Sequence, residues 1–125
     1  MANIMIVDDS KLTRNVLQEI LTSDGHEVIE ATNGQEAIEM IAEQIPECII
    51  LDILMPEMDG FGVLEELKNR AQKVPVVIHS ADIQQTTRQK CFQLGAFSFT
   101  NKPLKKEVLL NAVHEALAST KGTNK

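Results

Sequence analysis

Residues 3–10 read NIMIVDDS, and this stretch predicts the first strand of an α/β fold. Residues 4–7 form a short, continuous apolar run, which is typical of a parallel-sheet strand that is covered on both faces. The run ends in two adjacent carboxylates, Asp8 and Asp9, and Ser10 is a favourable N-cap for a following helix. Alone, such an acidic pair is equally typical of a helix N-terminus, where the helix dipole favours negative charge.

Apolar runs of the same kind recur along the chain and alternate with helical patterns. The other runs are EVIEA (27–31), ECIIL (47–51), VPVVIHS (74–80) and AFSFT (96–100). Helices are predicted after Ser10, from the capping pair Asn33 and Glu36, after Asp59 and Gly60, from the capping pair Asp82 and Gln85, and after Pro103. Five strands alternating with five helices predict an α/β domain with a doubly wound parallel sheet in a three-layer α/β/α sandwich.

The predicted helices differ in how well apolar side chains anchor them. The first helix has an apolar stripe at Leu12, Val16, Leu17, Ile20 and Leu21, and the fifth has one at Leu104, Val108, Leu109, Ala112, Val113, Ala116 and Leu117. The fourth has only Ile83 as a large apolar residue before Cys91 and Phe92. We therefore expect its first two turns to be weakly held.

Length and composition restrict the class of protein. The 125 residues are enough for one domain, predicted over residues 1–120 with a short polar tail at 121–125, and the chain is expected to fray from residue 119. A net charge of -6 argues against direct nucleic-acid binding. The sequence contains neither a signal peptide nor an apolar run long enough to span a membrane, so we expect a cytoplasmic protein without membrane contact.

Cysteine and histidine residues show no metal-binding spacing. Cys48 and Cys91 lie in predicted core elements and are interpreted as buried thiols. His26 and His114 are interpreted as surface residues. His79 precedes Ser80 on a strand, and is interpreted as a satisfied core or interface histidine that points away from the site described next.

Polar residues follow the predicted strands at their carboxyl ends, where ligands bind in open α/β sheets. These residues are Asp8, Asp9, Asp52, Ser80 and Lys102. If the first and third strands are neighbours, three carboxylates crowd together, and two charges about 4 Å apart repel by roughly 4 kcal/mol at an effective dielectric constant near 20. Lys102 offsets one charge, and Mg²⁺ is the better partner for several carboxylates. A carboxylate beside Mg²⁺ and Lys102 is suited to attack phosphorus, which predicts an aspartyl phosphate at Asp52.

Four motifs together resemble the receiver domain of the response-regulator family over nearly the whole chain. They are VDDS (7–10), LDILMPEMDG (51–60), HSA (79–81) and NKP (101–103). The resemblance implies a flavodoxin-like, CheY-like five-stranded sheet of order 2-1-3-4-5. It further implies that Asp52 accepts the phosphoryl group, that Asp9, Asp52 and the carbonyl of Leu54 bind Mg²⁺ directly, and that Asp8 helps through water.

The resemblance also implies roles for residues around the acceptor. Ser80 and Lys102 would bind the phosphoryl group, and Phe99 stands at the family's aromatic switch position. Phosphorylation would then change a protein-binding surface formed by the fourth helix, fifth strand and fifth helix. Pro56 and Gly60 would shape the loop after the acceptor, with Gly60 permitting an unusual turn.

The resemblance further implies a cis peptide bond between Lys102 and Pro103 that aims the ammonium at the site. A simple helix-start role is the other interpretation of Pro103.

The implied partners are a sensor histidine kinase or phosphotransfer protein as donor and an unidentified downstream protein as target. The implied protein is a signalling switch that catalyses only its own phosphoryl transfer and dephosphorylation. A diffusible chemotaxis-type regulator is favoured; a phosphorelay intermediate and a receiver cut from a larger regulator are alternatives. We expect a monomer that can dimerise through the signalling surface when phosphorylated.

Two other protein classes share parts of this pattern. A flavodoxin-like electron carrier needs a Ser/Thr/Gly-rich loop after the first strand, where this chain is acidic. A small aspartyl phosphatase usually has D-x-D at that place, and this chain has Asp8 and Asp9 side by side.

Overall fold

The computed structural model describes residues 2–56 and 58–122. Its strands are β1 Asn3–Val7, β2 Glu27–Ala31, β3 Cys48–Leu51, β4 Val76–Ser80 and β5 Ser98–Asn101. Its helices are α1 Lys11–Ser23, α2 Gly34–Glu43, α3 Gly60–Asn69, α4 Gln85–Gln93 and α5 Lys106–Gly122. All ten predicted elements are therefore present, and β3, β4 and β5 begin one or two residues later than their apolar runs.

The five strands form one parallel sheet in the order β2-β1-β3-β4-β5, as the resemblance implied. In this register Val7 lies beside Leu51, and Ser80 lies beside Asn101. The residues that follow these strands therefore emerge side by side at one edge of the sheet. That edge is called the carboxyl edge below.

The core is divided by the sheet into two apolar clusters. Alternate residues of β1 point to opposite faces: Met5 and Val7 pack with α2 and α3, whereas Ile4 and Ile6 pack with α1 and α5. This division confirms the three-layer sandwich. Both cysteines are buried and free, as predicted.

Burial raises the pKa of the two cysteine thiols, to about 12 for Cys48 and about 11 for Cys91. Both side chains are therefore uncharged thiols at neutral pH, and thiols attack electrophiles poorly.

The helix caps confirm most of the predicted starts. Ser10 accepts a hydrogen bond from the backbone N–H of Thr13, and Asn33 accepts one from Glu36. Asp59 caps α3 in the same way.

The capping pair predicted for the fourth helix is wrong. The N-cap is Gln84, whose side chain makes no capping bond. Asp82 lies two residues before it, where one carboxylate oxygen accepts from the Gln84 backbone N–H and the other from the hydroxyl of Thr87. Asp82 therefore forms a turn that leads into the helix, because Asp side chains readily bond to the backbone two residues on.

Three residues of the predicted apolar stripes are exposed. Leu12 is 74% exposed, Val16 39% and Val108 50%, although Leu17 and Leu109 in the same stripes are buried. The exposed residues lie in the first two turns of α1 and α5, near the carboxyl edge. We attribute their exposure to this position, because the strands end there and their side chains cover these residues only in part.

The last helix, α5, extends to Gly122, so residues 119–122 are helical, and their fraying stays a prediction. The hydroxyls of Ser119 and Thr120 donate to the carbonyls of Ala116 and Leu117 in the preceding turn. Residues 123–125 lie outside the described residues, and the domain boundary at residue 120 stays a prediction. None of the helices in the described part of the chain combines the length and apolar character needed to cross a membrane.

Candidate functional site

Three carboxylates meet at the carboxyl edge. Asp8, Asp9 and Asp52 each offer an oxygen within 4.8 Å of the others. The backbone N–H of Asp52 donates to the carbonyl of Val7, so strand pairing itself holds Asp52 beside Asp8. Asp8 and Asp52 are buried, at 2% and 5% exposure, and Asp9 is exposed. The sequence prediction of one acidic cluster is confirmed.

Lys102, which directly follows the edge strand β5, contacts two of these carboxylates. Its Nζ lies 3.0 Å from Oδ2 of Asp8 and 3.2 Å from Oδ2 of Asp52. Its backbone N–H donates to the carbonyl of Ser80, and the following peptide bond to Pro103 is cis, as the resemblance implied. The ammonium therefore bridges two of the three carboxylates.

Charge in the site is only partly balanced. Burial raises the pKa of Asp52, Lys102 opposes that rise and Asp8 adds to it. Burial would lower the pKa of Lys102, but its hydrogen bond to Asp8 and the charge of Asp52 outweigh burial and raise that pKa. With all three carboxylates ionised, one ammonium leaves two negative charges, which matches one divalent cation. The donors are all oxygens, so the residues fit Mg²⁺.

The raised pKa of Asp52 predicts a specific pH dependence of stability in the absence of divalent metal. Above the ordinary value of 3.8, the folded protein holds a proton on Asp52 that the unfolded chain has released. The contribution of Asp52 to the free energy of unfolding should therefore fall as pH rises from about 3.8 through the raised pKa, and then level off. The measurement is urea unfolding of the wild type and Asp52→Asn in EDTA across this pH range. A difference between the two that does not change with pH would contradict it.

Sequence reasoning missed a residue that supports the acidic pair. Arg14 donates from Nη1 to the backbone carbonyl of Asp8 at 2.8 Å and forms an ion pair through Nε with Glu30 at 3.0 Å. The available signal was its position four residues after the Ser10 cap, in the first turn of α1. Arg14 therefore ties α1 to the segment that carries Asp8.

Leu54 lies beside the acceptor through its backbone. Its N–H donates to Oδ1 of Asp52 at 3.4 Å, and its side chain is 59% exposed. The proposed use of its carbonyl as a metal ligand stays a prediction.

Ser80 and Phe99 lie in the part of the site next to α4. Ser80 is fully buried, and its hydroxyl accepts from the backbone N–H of Asp82 at 3.1 Å rather than contacting Asp52. Phe99 is half-buried against the core cluster beneath α2 and α3, and the guanidinium of Arg88 lies 5.5 Å from its ring centroid. The contact with Arg88 was missed, because nothing local in the sequence places α4 over β5.

Gly60 is required for a different reason from the one predicted. It is absent from the residues with positive φ, so the loop needs no turn that only glycine adopts. Instead, a Cβ at Gly60 would lie 2.5 Å from the carbonyl oxygen of Asp52 and 2.8 Å from the Cα of Ile53. Gly60 therefore permits α3 to approach the acceptor segment closely. Pro56 is exposed in the same loop, and its shaping role stays a prediction.

His79 is buried as predicted, but the expectation that it is satisfied is wrong. It is 2% exposed, and neither ring nitrogen has a hydrogen-bond partner among the described residues. It lines one cavity with the apolar side chains of Leu12, Val16 and Leu104. Thr13 and Lys102 line the same cavity but do not hydrogen-bond to the ring. Burial lowers its pKa to about 4, so the ring is neutral at physiological pH.

Comparisons with known proteins identify the class. Residues 4–114 match the family model described as "Response regulator receiver domain", and the chain belongs to this family. It is 37% identical over 115 residues to chemotaxis protein CheY of Bacillus subtilis (strain 168), across 91% of this chain and 96% of that protein. The solved structure of the chemotaxis protein CheY4 of Vibrio cholerae has a TM-score of 0.87 at 28% identity, covering 94% of this chain and 99% of that one.

A second kind of relative is longer. Transcriptional regulatory protein SrrA of Staphylococcus aureus (strain NCTC 8325 / PS 47) is 36% identical over 120 residues, which cover 96% of this chain and 49% of SrrA. The chain thus spans nearly all of one relative and about half of the other. The receiver class and the CheY-like fold are confirmed.

Proposed function

We propose that this receiver domain is a phosphorylation-dependent switch of two-component signalling, with Asp52 as the phosphoryl acceptor. One observation carries the proposal: the buried carboxylate of Asp52 lies 3.2 Å from Nζ of Lys102, within a cluster of three carboxylates. Nucleophile, positive charge and oxygen ligands for a cation are the parts that phosphoryl transfer requires.

The donor is a phosphohistidine on a sensor histidine kinase or phosphotransfer protein. A carboxylate oxygen of Asp52 attacks phosphorus, the new O–P bond forms, the N–P bond breaks, and the histidine nitrogen takes up a proton. Lys102 pairs with the phosphoryl oxygens, which carry the transferred charge. Asp9, Asp52 and the carbonyl of Leu54 would hold Mg²⁺ directly and Asp8 through water, and the ion would supply further charge neutralisation.

Ser80 and Phe99 transmit the change. The hydroxyl of Ser80 gives up its hydrogen bond from the backbone N–H of Asp82 and donates to a phosphoryl oxygen. The ring of Phe99 then turns into the space behind Ser80. The new contacts shift an existing equilibrium between two arrangements of the site, because a ligand favours whichever state it binds better.

The output surface consists of α4, β5 and α5, and binds a downstream protein. On α4 only Thr87 and Cys91 are buried, while Phe92 is 40% exposed and Ile83, just before the helix, is 68% exposed. A helix with so few buried anchors is suited to adopt two positions. The unphosphorylated chain is a monomer, and phosphorylation allows dimerisation through this surface.

A chemotaxis-type diffusible regulator is favoured, because chemotaxis protein CheY of Bacillus subtilis is 37% identical to this chain over 115 residues. SrrA is 36% identical to this chain over about half of its own length. The receiver domain of a larger regulator is therefore the second candidate.

The direct test is to incubate the wild type with acetyl phosphate, with and without Mg²⁺, and to record intact mass spectra. We expect one phosphoryl group per chain that depends on Mg²⁺, and borohydride reduction followed by peptide mapping should locate it at Asp52. A phosphoryl group on another residue would contradict the proposal. So would the absence of any adduct combined with failure to bind beryllofluoride, which mimics the phosphoryl group and is not lost by hydrolysis of an acyl phosphate.

A further inference from the structure

Three potential metal ligands converge at the end of the sheet opposite Asp52. Asp24 is the C-cap of α1, His26 lies one residue before β2, and His114 lies on α5. Oδ2 of Asp24 lies 2.9 Å from Nε2 of His26 and 2.7 Å from Nε2 of His114. One ligand atom from each residue lies within 4.8 Å of the other two.

The α1–β2 turn holds two of these ligands in place. The backbone N–H of Asp24 donates to the carbonyls of Ile20 and Leu21, and that of His26 also donates to Leu21. Between them Gly25 has φ +89°, which glycine adopts without strain. The His26 side chain is only 8% exposed, so its interpretation as a surface residue is wrong, whereas that of His114 is 52% exposed. The turn therefore holds Asp24 and His26 in place, and His114 on α5 is the third potential ligand.

Proton positions in this cluster favour replacement by a metal ion. Oδ2 of Asp24 is a carboxylate oxygen that accepts both hydrogen bonds, so each Nε2 carries the hydrogen of its bond. Both hydrogens point at the same oxygen, where one ion would contact both nitrogens and the carboxylate.

Replacing the hydrogen on Nε2 of His26 by a metal ion breaks no hydrogen bond other than the one to Asp24. Nδ1 of His26 is buried and has no partner among the described residues. In the neutral ring with hydrogen on Nε2, Nδ1 is an unpaired acceptor; after the hydrogen moves to Nδ1, it is an unpaired donor. Nδ1 lacks a partner in both tautomers, and the second tautomer frees Nε2 to bind metal.

We propose that Asp24, His26 and His114 form a binding site for a divalent transition-metal ion such as Zn²⁺, with water completing the coordination. Two imidazole nitrogens and one carboxylate oxygen suit Zn²⁺, whereas Mg²⁺ prefers oxygen ligands alone. The ion joins the α1–β2 turn to α5, and by binding only the folded protein it raises stability. The site is separate from the acidic cluster at Asp52 and does not depend on the proposed phosphorylation.

The test is calorimetric titration of the protein with ZnCl₂ in excess Mg²⁺, which occupies the acidic cluster. We expect one zinc ion per chain and a zinc-dependent rise in Tm, with affinity at least about tenfold lower in His114→Ala and in Asp24→Asn. Glu115→Gln is the matched control, because it changes the next exposed residue of α5 and should bind zinc like the wild type.

Two further readouts keep the test decisive. Co²⁺ should give visible absorption bands without a thiolate charge-transfer band, which separates this site from binding at Cys48 or Cys91. Urea unfolding of His114→Ala in EDTA should give one cooperative transition, as in the wild type, which shows that the variant is folded. Absence of saturable zinc binding, a thiolate band, or unchanged affinity in a folded His114→Ala would overturn the proposal.

Discussion

Asp52→Asn is expected to abolish phosphoryl incorporation from acetyl phosphate, because the amide that replaces the carboxylate is not a nucleophile. Asp8 and Asp9 remain in the cluster, and a phosphoryl group on either of them in the variant would contradict the assignment of Asp52. Intact mass spectra of the wild type and the variant in Mg²⁺ check this. Glu65→Gln is the matched control, because it removes an exposed carboxylate of α3 that is not part of the acidic cluster. This variant should incorporate phosphate like the wild type.

The same substitution is expected to stabilise the metal-free protein. Asn removes one buried negative charge from a site in which two negative charges are unbalanced, and it gives up the attraction of Asp52 to Lys102. The raised pKa of Asp52 means that burial and Asp8 disfavour its charge more than Lys102 favours it. We therefore expect a net gain in the free energy of unfolding at neutral pH, on the order of 1 kcal/mol.

Urea unfolding in EDTA measures this gain. In Mg²⁺ the difference in free energy of unfolding between Asp52→Asn and the wild type should narrow or reverse. The reason is that the wild type binds the cation more tightly and is stabilised by it. A variant less stable than the wild type in EDTA would show that Lys102 already compensates the charge of Asp52. Phosphoryl incorporation that persists in the variant would place the acceptor elsewhere.

Gly60→Ala is expected to lower the free energy of unfolding by about 3 kcal/mol, the upper part of the usual range for overpacking. The new Cβ would lie 2.5 Å from the carbonyl oxygen of Asp52 and 2.8 Å from the Cα of Ile53, both backbone atoms. Relief of this clash must move either α3 or the segment that carries the acceptor. We therefore expect slower phosphorylation as well as lower stability.

Gly62→Ala is the matched control two residues further along the same helix. A Cβ at Gly62 would meet the side chain of Met58, with Cγ at 2.7 Å, and a methionine side chain can rotate away. Alanine also favours helix over glycine by about 1 kcal/mol, so this variant should be as stable as the wild type or more so. Equal urea midpoints for Gly60→Ala and Gly62→Ala would contradict the steric role of Gly60.

The sequence by itself determined the elements and the composition of the acidic site. Apolar periodicity distinguishes strand from helix over a few neighbouring residues, and caps such as Ser10 and Asn33 act within one turn, so both are readable locally. The placement of Asp8 and Asp52 at one edge follows from parallel strands that all end there. The order of the strands came from the family resemblance rather than from the patterns.

The tertiary structure alone decided which distant groups meet. Gly60 lies against the backbone of Asp52, Arg14 donates to the carbonyl of Asp8, and the ring of His79 has no hydrogen-bond partner among the described residues. The convergence of His26 and His114 on Asp24 likewise requires α5 to pack beside the end of α1. The physical reason is that periodicity and capping depend on residues a few positions apart. Such contacts instead depend on how whole helices and strands pack, which no local pattern specifies.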